Sequence, residues 1–147
     1  MSRPIAFVNA RIADPSSGLD ATGGLLVRNG RIADAGPALF AAGLPDAEIV
    51  DCGGCVLAPG LVDLKVATGE PGDEHRETIA TAGRAAAAGG VTTIVLQPDT
   101  TPPVDDPALV EYIARAPCTV RALPMAALTQ GLRGEAMSEM ALLAGAG

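Results

Sequence analysis

Four residues at alternate positions, Asp63, Lys65, Ala67 and Gly69, pose the chemical question of this chain. Side chains on a strand alternate between faces, so an unbroken strand would present all four on one side. Donor side chains spaced in this way could converge on one metal ion or ligand. The residues present do not. Lysine is protonated near neutral pH and its ammonium has no lone pair for a metal, while alanine has no donor at all. Gly69 has no side chain to offer. The surrounding frame is well defined, with Pro59-Gly60-Leu61-Val62 before the four positions and Glu70-Pro71-Gly72 closing them.

Other donors are sparse. Cys52 and Cys55 form a C-x-x-C, and only Cys118 and His75 remain as further soft donors. A zinc site usually shows a second ligand pair. A redox C-x-x-C normally opens a helix, whereas Cys55 leads through Val56-Leu57 toward Pro59 and a strand. The pair therefore reads as small apolar residues around a Gly53-Gly54 turn. Three cysteines give no reason to expect a disulfide framework. His75 reads as a solvated helix residue, and Glu70 and Asp73 read as scaffold.

The elements that must position these residues fall into two stretches, 1–58 and 59–147. The first reads as strands and turns: Ile5 to Ile12, then Asp14-Pro-Ser-Ser-Gly, then Leu25–Arg28 meeting Asn29-Gly30, a strong hairpin signal. Glu48–Asp51 makes a further short strand. The second stretch alternates strand and helix. Leu61–Val66 is a strand, Asp73 is expected to cap a helix running to about Ala88, and Gly89-Gly90 ends it. Val91–Leu96 is a β-branched run suited to a strand buried on both faces. Asp106 or Pro107 opens a helix to about Ala116. Cys118–Leu123 is expected to be a third strand, and Gly134 to about Leu143 a third helix.

Of 147 residues, 48% are hydrophobic and 18% charged. The charged share falls short of the roughly 25% of ordinary soluble domains, which fits a piece of a larger core or a subunit with extensive interfaces. The net charge of −7 argues against nucleic acid or an anionic membrane as partner. No apolar run approaches the ~20 residues of a membrane span. The start meets Asn9 and Arg11 too early for a signal peptide, and the expected location is the cytoplasm.

The 59–72 stretch resembles the first barrel strand of the dihydroorotases, in the cyclic amidohydrolase family, whose pattern there is P-G-[LIF]-[VI]-D-x-H-x-H-x-R-[ED]-P-G. Pro59, Gly60, Leu61, Val62, Asp63, Glu70, Pro71 and Gly72 match it. The resemblance continues through Glu77 to Thr93, through Gln97-Pro-Asp-Thr-Thr-Pro at the family's M-P-N-T, and through Leu123-Pro-Met-Ala-Ala-Leu-Thr-Gln-Gly. It implies an α/β fold: a small β-sandwich-type domain over 1–58, followed by the first three β/α units of an amidohydrolase (β/α)8 TIM-like barrel. A closed barrel takes eight strands and about 250 residues, so the chain is expected to be truncated. A small independent open α/β domain is the other reading of the same length.

In the family the two histidines bind zinc, and the arginine with the asparagine of M-P-N-T grips the substrate carboxylate. Those positions are Lys65, Ala67, Gly69 and Asp99 here, and an ionised Asp99 would repel a carboxylate. The resemblance thus implies degenerate substrate-binding positions at Gly69 and Asp99, no metal ligand at Lys65 or Ala67, no catalytic residue in this segment, and no cofactor for this chain where active members use zinc. Lys65 beside Asp63 would set a fixed positive charge where the family keeps its metal, or else snorkel to the barrel mouth. Closest is the non-catalytic subgroup, the pseudo-dihydroorotases, which act as structural partners of aspartate carbamoyltransferase in pyrimidine biosynthesis. An active cyclic amidohydrolase with an altered metal site and a remnant without function are the competing readings.

Overall fold

The computed structural model describes residues 3–147, which divide into two units, the first ending at Pro59 and the second Gly60–Gly147. The first unit is one five-stranded sheet built around β1 (Ile5–Asp14). β2 (Leu19–Arg28) runs antiparallel to β1 and pairs in turn with β3 (Arg31–Gly36). Asn29 and Gly30 join β2 to β3 with φ of 51° and 71°, the twist that a two-residue hairpin requires. Asp14 organises the preceding turn, its carboxylate accepting from the Ser16 amide at 3.0 Å and from both the Ser16 and Ser17 hydroxyls. β4 (Glu48–Asp51) and β5 (Val56–Leu57) both pair parallel to β1, in sequence along it. Of the expected sandwich this unit supplies one layer. Its core is small: Ala6, Leu26 and Ala47, with Leu39 and Phe40 packed against them.

The second unit begins a parallel β/α series. β6 (Leu61–Val66), β7 (Val91–Leu96) and β8 (Arg121–Pro124) lie in that order, all parallel. α1 (Ile79–Ala88) packs on β7 and β8, α2 (Pro107–Arg115) packs on β8, and α3 (Met140–Ala146) packs on α2. One core joins them: Ile79, Ile94, Leu96, Val104, Val110, Ile113 and Leu143. Asp106 caps α2, its carboxylate accepting the Ala108 amide at 2.8 Å, and Pro107 occupies the first turn.

Several element bounds differ from the sequence expectation: β1 runs on to Asp14 rather than Ile12, and β2 begins at Leu19 rather than Leu25. α1 starts at Ile79, not after Asp73. Residues 73–77 form a turn instead, Arg76 N–H donating to Asp73 O at 2.9 Å and Gly69 N–H to Glu77 O at 2.9 Å, and Thr78 and Thr81 form a reciprocal capping box five residues after Asp73. The third strand starts at Arg121 rather than Cys118. The third helix starts at Met140 rather than Gly134. Residues 128–138 are held instead in a loop by a Thr129–Met137 bridge and by Gln130 N–H donating to Ala136 O at 2.9 Å. Among the described residues no helix is long and apolar enough to cross a membrane.

Candidate functional site

The carboxyl ends of the three parallel strands are drawn together by backbone bonds. Gln97 N–H donates to Val66 O at 2.9 Å, and Met125 N–H donates to Leu96 O at 3.0 Å. The loops that follow also meet, with Thr101 N–H donating to Pro71 O at 3.1 Å. Barrel enzymes build their sites at this end of their strands. Ala67, Gly69 and Asp99 all lie in these loops, so the fold gathers the sequence-derived positions at one end of the sheet.

The strand leading there is not regular. Asp63 pairs with Ile94 and Val66 with Leu96, so β6 spends three residues where β7 spends two. This is a bulge, and it leaves Asp63 and Ala67 lining one and the same groove. Asp63 lines a shallow groove with Ala82, Ala85 and Ala86 of α1. Its carboxylate accepts the backbone N–H of Lys65 at 3.0 Å. The Lys65 ammonium is exposed and forms no ion pair among the described residues.

Gly69 is the most constrained of the four. It is buried, its N–H donates to Glu77 O at 2.9 Å, and its carbonyl accepts from Asp73. A Cβ added here would run into the Asp73 carbonyl oxygen, with the Asp73 carbonyl carbon at 2.8 Å. The loop backbone occupies the space in which an arginine stem would begin. Asp99 is exposed at the start of the following loop, while its neighbour Thr100 is buried and donates to Pro102 O at 2.7 Å.

The donor set does not fit a metal. Lys65 and Ala67 offer no ligand atom, and no group of three or more His, Cys, Asp or Glu among the described residues stands close enough to hold an ion. His75 is exposed in the loop before α1. Glu74 beside it accepts the Gly72 N–H at 2.9 Å, and that bond holds its carboxyl below the usual range.

Glu70 has a role that sequence reasoning saw only as scaffold. One of its oxygens accepts the Ile79 amide at 2.8 Å, in the first turn of α1. The other accepts the Tyr112 hydroxyl of α2 at 2.6 Å. Tyr112 is a lone aromatic in an otherwise ordinary amphipathic helix, and no sequence pattern marked it. The Glu70 carboxylate holds the Tyr112 phenol above the usual tyrosine range, chiefly by this hydrogen bond. The chain has one tyrosine and no tryptophan, so ultraviolet absorbance at alkaline pH reads this group alone. Tyr112 is expected to ionise at higher pH than free tyrosine, and Glu70→Gln to bring its ionisation back down. Its contribution to stability is full below the unfolded value of about 10 and is lost as pH rises through the folded value. Identical titrations for the two proteins would refute the pairing.

A family model described as Dihydro-orotase-like matches residues 54–147. The chain is 50% identical over 111 residues to a dihydroorotase of Wolbachia sp. subsp. Brugia malayi (strain TRS), a match covering 74% of this chain and 25% of the relative. It is 40% identical over 147 residues to a dihydroorotase of Solibacter usitatus (strain Ellin6076), covering 98% of this chain and 34% of that protein. Among solved structures the L-hydantoinase (dihydropyrimidinase) from Arthrobacter aurescens is similar with a TM-score of 0.75 at 23% identity, over 87% of this chain and 28% of the other. The likeness to L-hydantoinase supports the amidohydrolase barrel architecture for the second unit. The chain spans only about a quarter to a third of the curated relatives it matches.

Proposed function

The chain belongs to the dihydroorotase-like family, and from that premise we propose that it comes from a catalytically inactive member, a cytoplasmic protein of pyrimidine biosynthesis that serves as a structural partner of aspartate carbamoyltransferase. The observation that carries this reading is the state of one loop and strand. Two positions that hold zinc in the active family are Lys65 and Ala67, and the position of the carboxylate-gripping arginine is a buried glycine whose surroundings exclude a side chain. Low charge content is consistent with a protein that keeps much of its surface against partners.

A second reading is favoured by the relatives themselves, which carry the name dihydroorotase at up to about half identity. On that reading the protein is an active cyclic amidohydrolase whose metal is held elsewhere. Metal content and a dihydroorotase assay on the longest product of the native locus separate the two. The expected result is no bound zinc, no turnover of dihydroorotate, and co-purification with the transcarbamoylase. Stoichiometric zinc with turnover would overturn the inactive reading in favour of the second.

A further inference from the structure

The C-x-x-C of the first unit lies outside the reading above, and its geometry differs from that of packed structural thiols. Cys55 is exposed and Cys52 half-buried, both as free thiols. Cys55 N–H donates to Cys52 O at 2.8 Å, closing a four-residue turn whose central residues, Gly53 and Gly54, have φ of 56° and 86°. The ends of such a turn stand less than about 7 Å apart between Cα atoms. Disulfides span about 4.4–6.8 Å by the same measure. Both cysteine backbones are also tied to β1, Cys52 N–H donating to Val8 O at 2.9 Å and Arg11 N–H to Cys55 O at 3.0 Å. Asp51 braces the turn from within, its carboxylate accepting the Gly53 amide at 2.9 Å. The two cysteine backbones are therefore held at a spacing a disulfide can bridge by bonds that exist before any oxidation, and the Cys52 thiol, 4.0 Å from Val50 O, turns from that carbonyl to close the bridge.

We propose that Cys52 and Cys55 form a redox-active dithiol site that closes to a disulfide across this turn by exchange with a small-molecule disulfide. The exposed Cys55 thiolate attacks the external disulfide, forming a mixed disulfide and expelling one thiolate. The Cys52 thiolate then attacks the Cys55 sulfur, closing the protein disulfide and expelling the second thiolate. Two protein thiols are oxidised and one external disulfide is reduced to two thiols, which take up the two protons released. Because the turn is already closed, the native chain loses little conformational freedom in the second step, whereas an unfolded chain must first bring the two ends together.

The test uses the full chain equilibrated with oxidised and reduced glutathione at fixed ratio, in native buffer and in urea, followed by acid quench and mass spectrometry. The native protein is expected to lose two hydrogens within the peptide holding both cysteines and to retain no glutathione. Cys52→Ser is expected to stop at a stable glutathione adduct on Cys55, and Cys118→Ser to change nothing. The closing equilibrium should favour the native chain over the unfolded one by about ten-fold or more. Glutathione retained by the wild-type chain, a link to Cys118 or to another molecule, or equal closing constants in the two states would each overturn the proposal.

Discussion

Gly69→Arg, which writes the family's arginine back into the chain, is expected to destabilise the protein by about 3 kcal/mol and to restore no grip on a carboxylate. The reason lies in the backbone. Gly69 is tied on both sides of its peptide, donating to Glu77 O at 2.9 Å and accepting from Asp73 at 2.5 Å. The Asp73 carbonyl sits where a Cβ would go, and Glu77 O lies 3.2 Å from the same point. Carbonyl groups held by hydrogen bonds do not swing aside as the end of a flexible side chain does. The collision begins at the first side-chain atom, so Gly69→Ala is expected to show most of the loss. Urea unfolding of the full chain measures both variants. If Gly69→Arg were as stable as the parent, the loop would be free to open, and position 69 would have lost only a side chain.

Ile94→Ala is expected to cost about 4 kcal/mol. Ile94 is 1% exposed at the centre of the middle strand, paired with Asp63 of β6 on one side and Ala122 of β8 on the other. It belongs to the core that includes Ile79, Leu96, Val104, Val110 and Ile113. These residues come from β7, α1, α2 and the connecting loop, so a cavity there loosens every element that positions the strand ends. Leu64→Ala is the matched control: the residue is apolar and on β6, yet 67% exposed. It is expected to stay within about 0.5 kcal/mol of the parent. Equal unfolding midpoints for the Ile94 and Leu64 variants would refute the assignment of the core.

Elements with punctuation at both ends were legible in the sequence. β6 and β7 match their expected bounds because Gly60 and Gly89-Gly90 precede apolar or β-branched runs of the right length. The β2–β3 hairpin was announced by Asn29-Gly30, and α2 by Asp106-Pro107. What failed were places where a tertiary bond outcompeted a local signal. Asp73 is a good helix cap by type, but Gly69 N–H holds the Glu77 carbonyl in the loop, and Thr78 does the capping. Residues 134–139 have helix-compatible composition, but the Thr129–Met137 bridge draws them into a loop. At the site, the residue types at 65, 67, 69 and 99 were readable, and so were the chemical functions they lack. The bulge between Asp63 and Val66 was not, since it depends on pairing with β7 rather than on any residue in β6. Nor was the steric closure at Gly69, because a glycine in a sequence does not say whether its missing side chain left a space or a neighbour filled it.

Glu70 sits inside the stretch that resembles the active family, and it is fully occupied in holding the start of α1 and the flank of α2. A residue with such a task survives in a lineage whether or not its neighbours still do chemistry. The match of this stretch to the family therefore reports a shared scaffold, carried in part by a carboxylate whose partners are a helix start and a tyrosine.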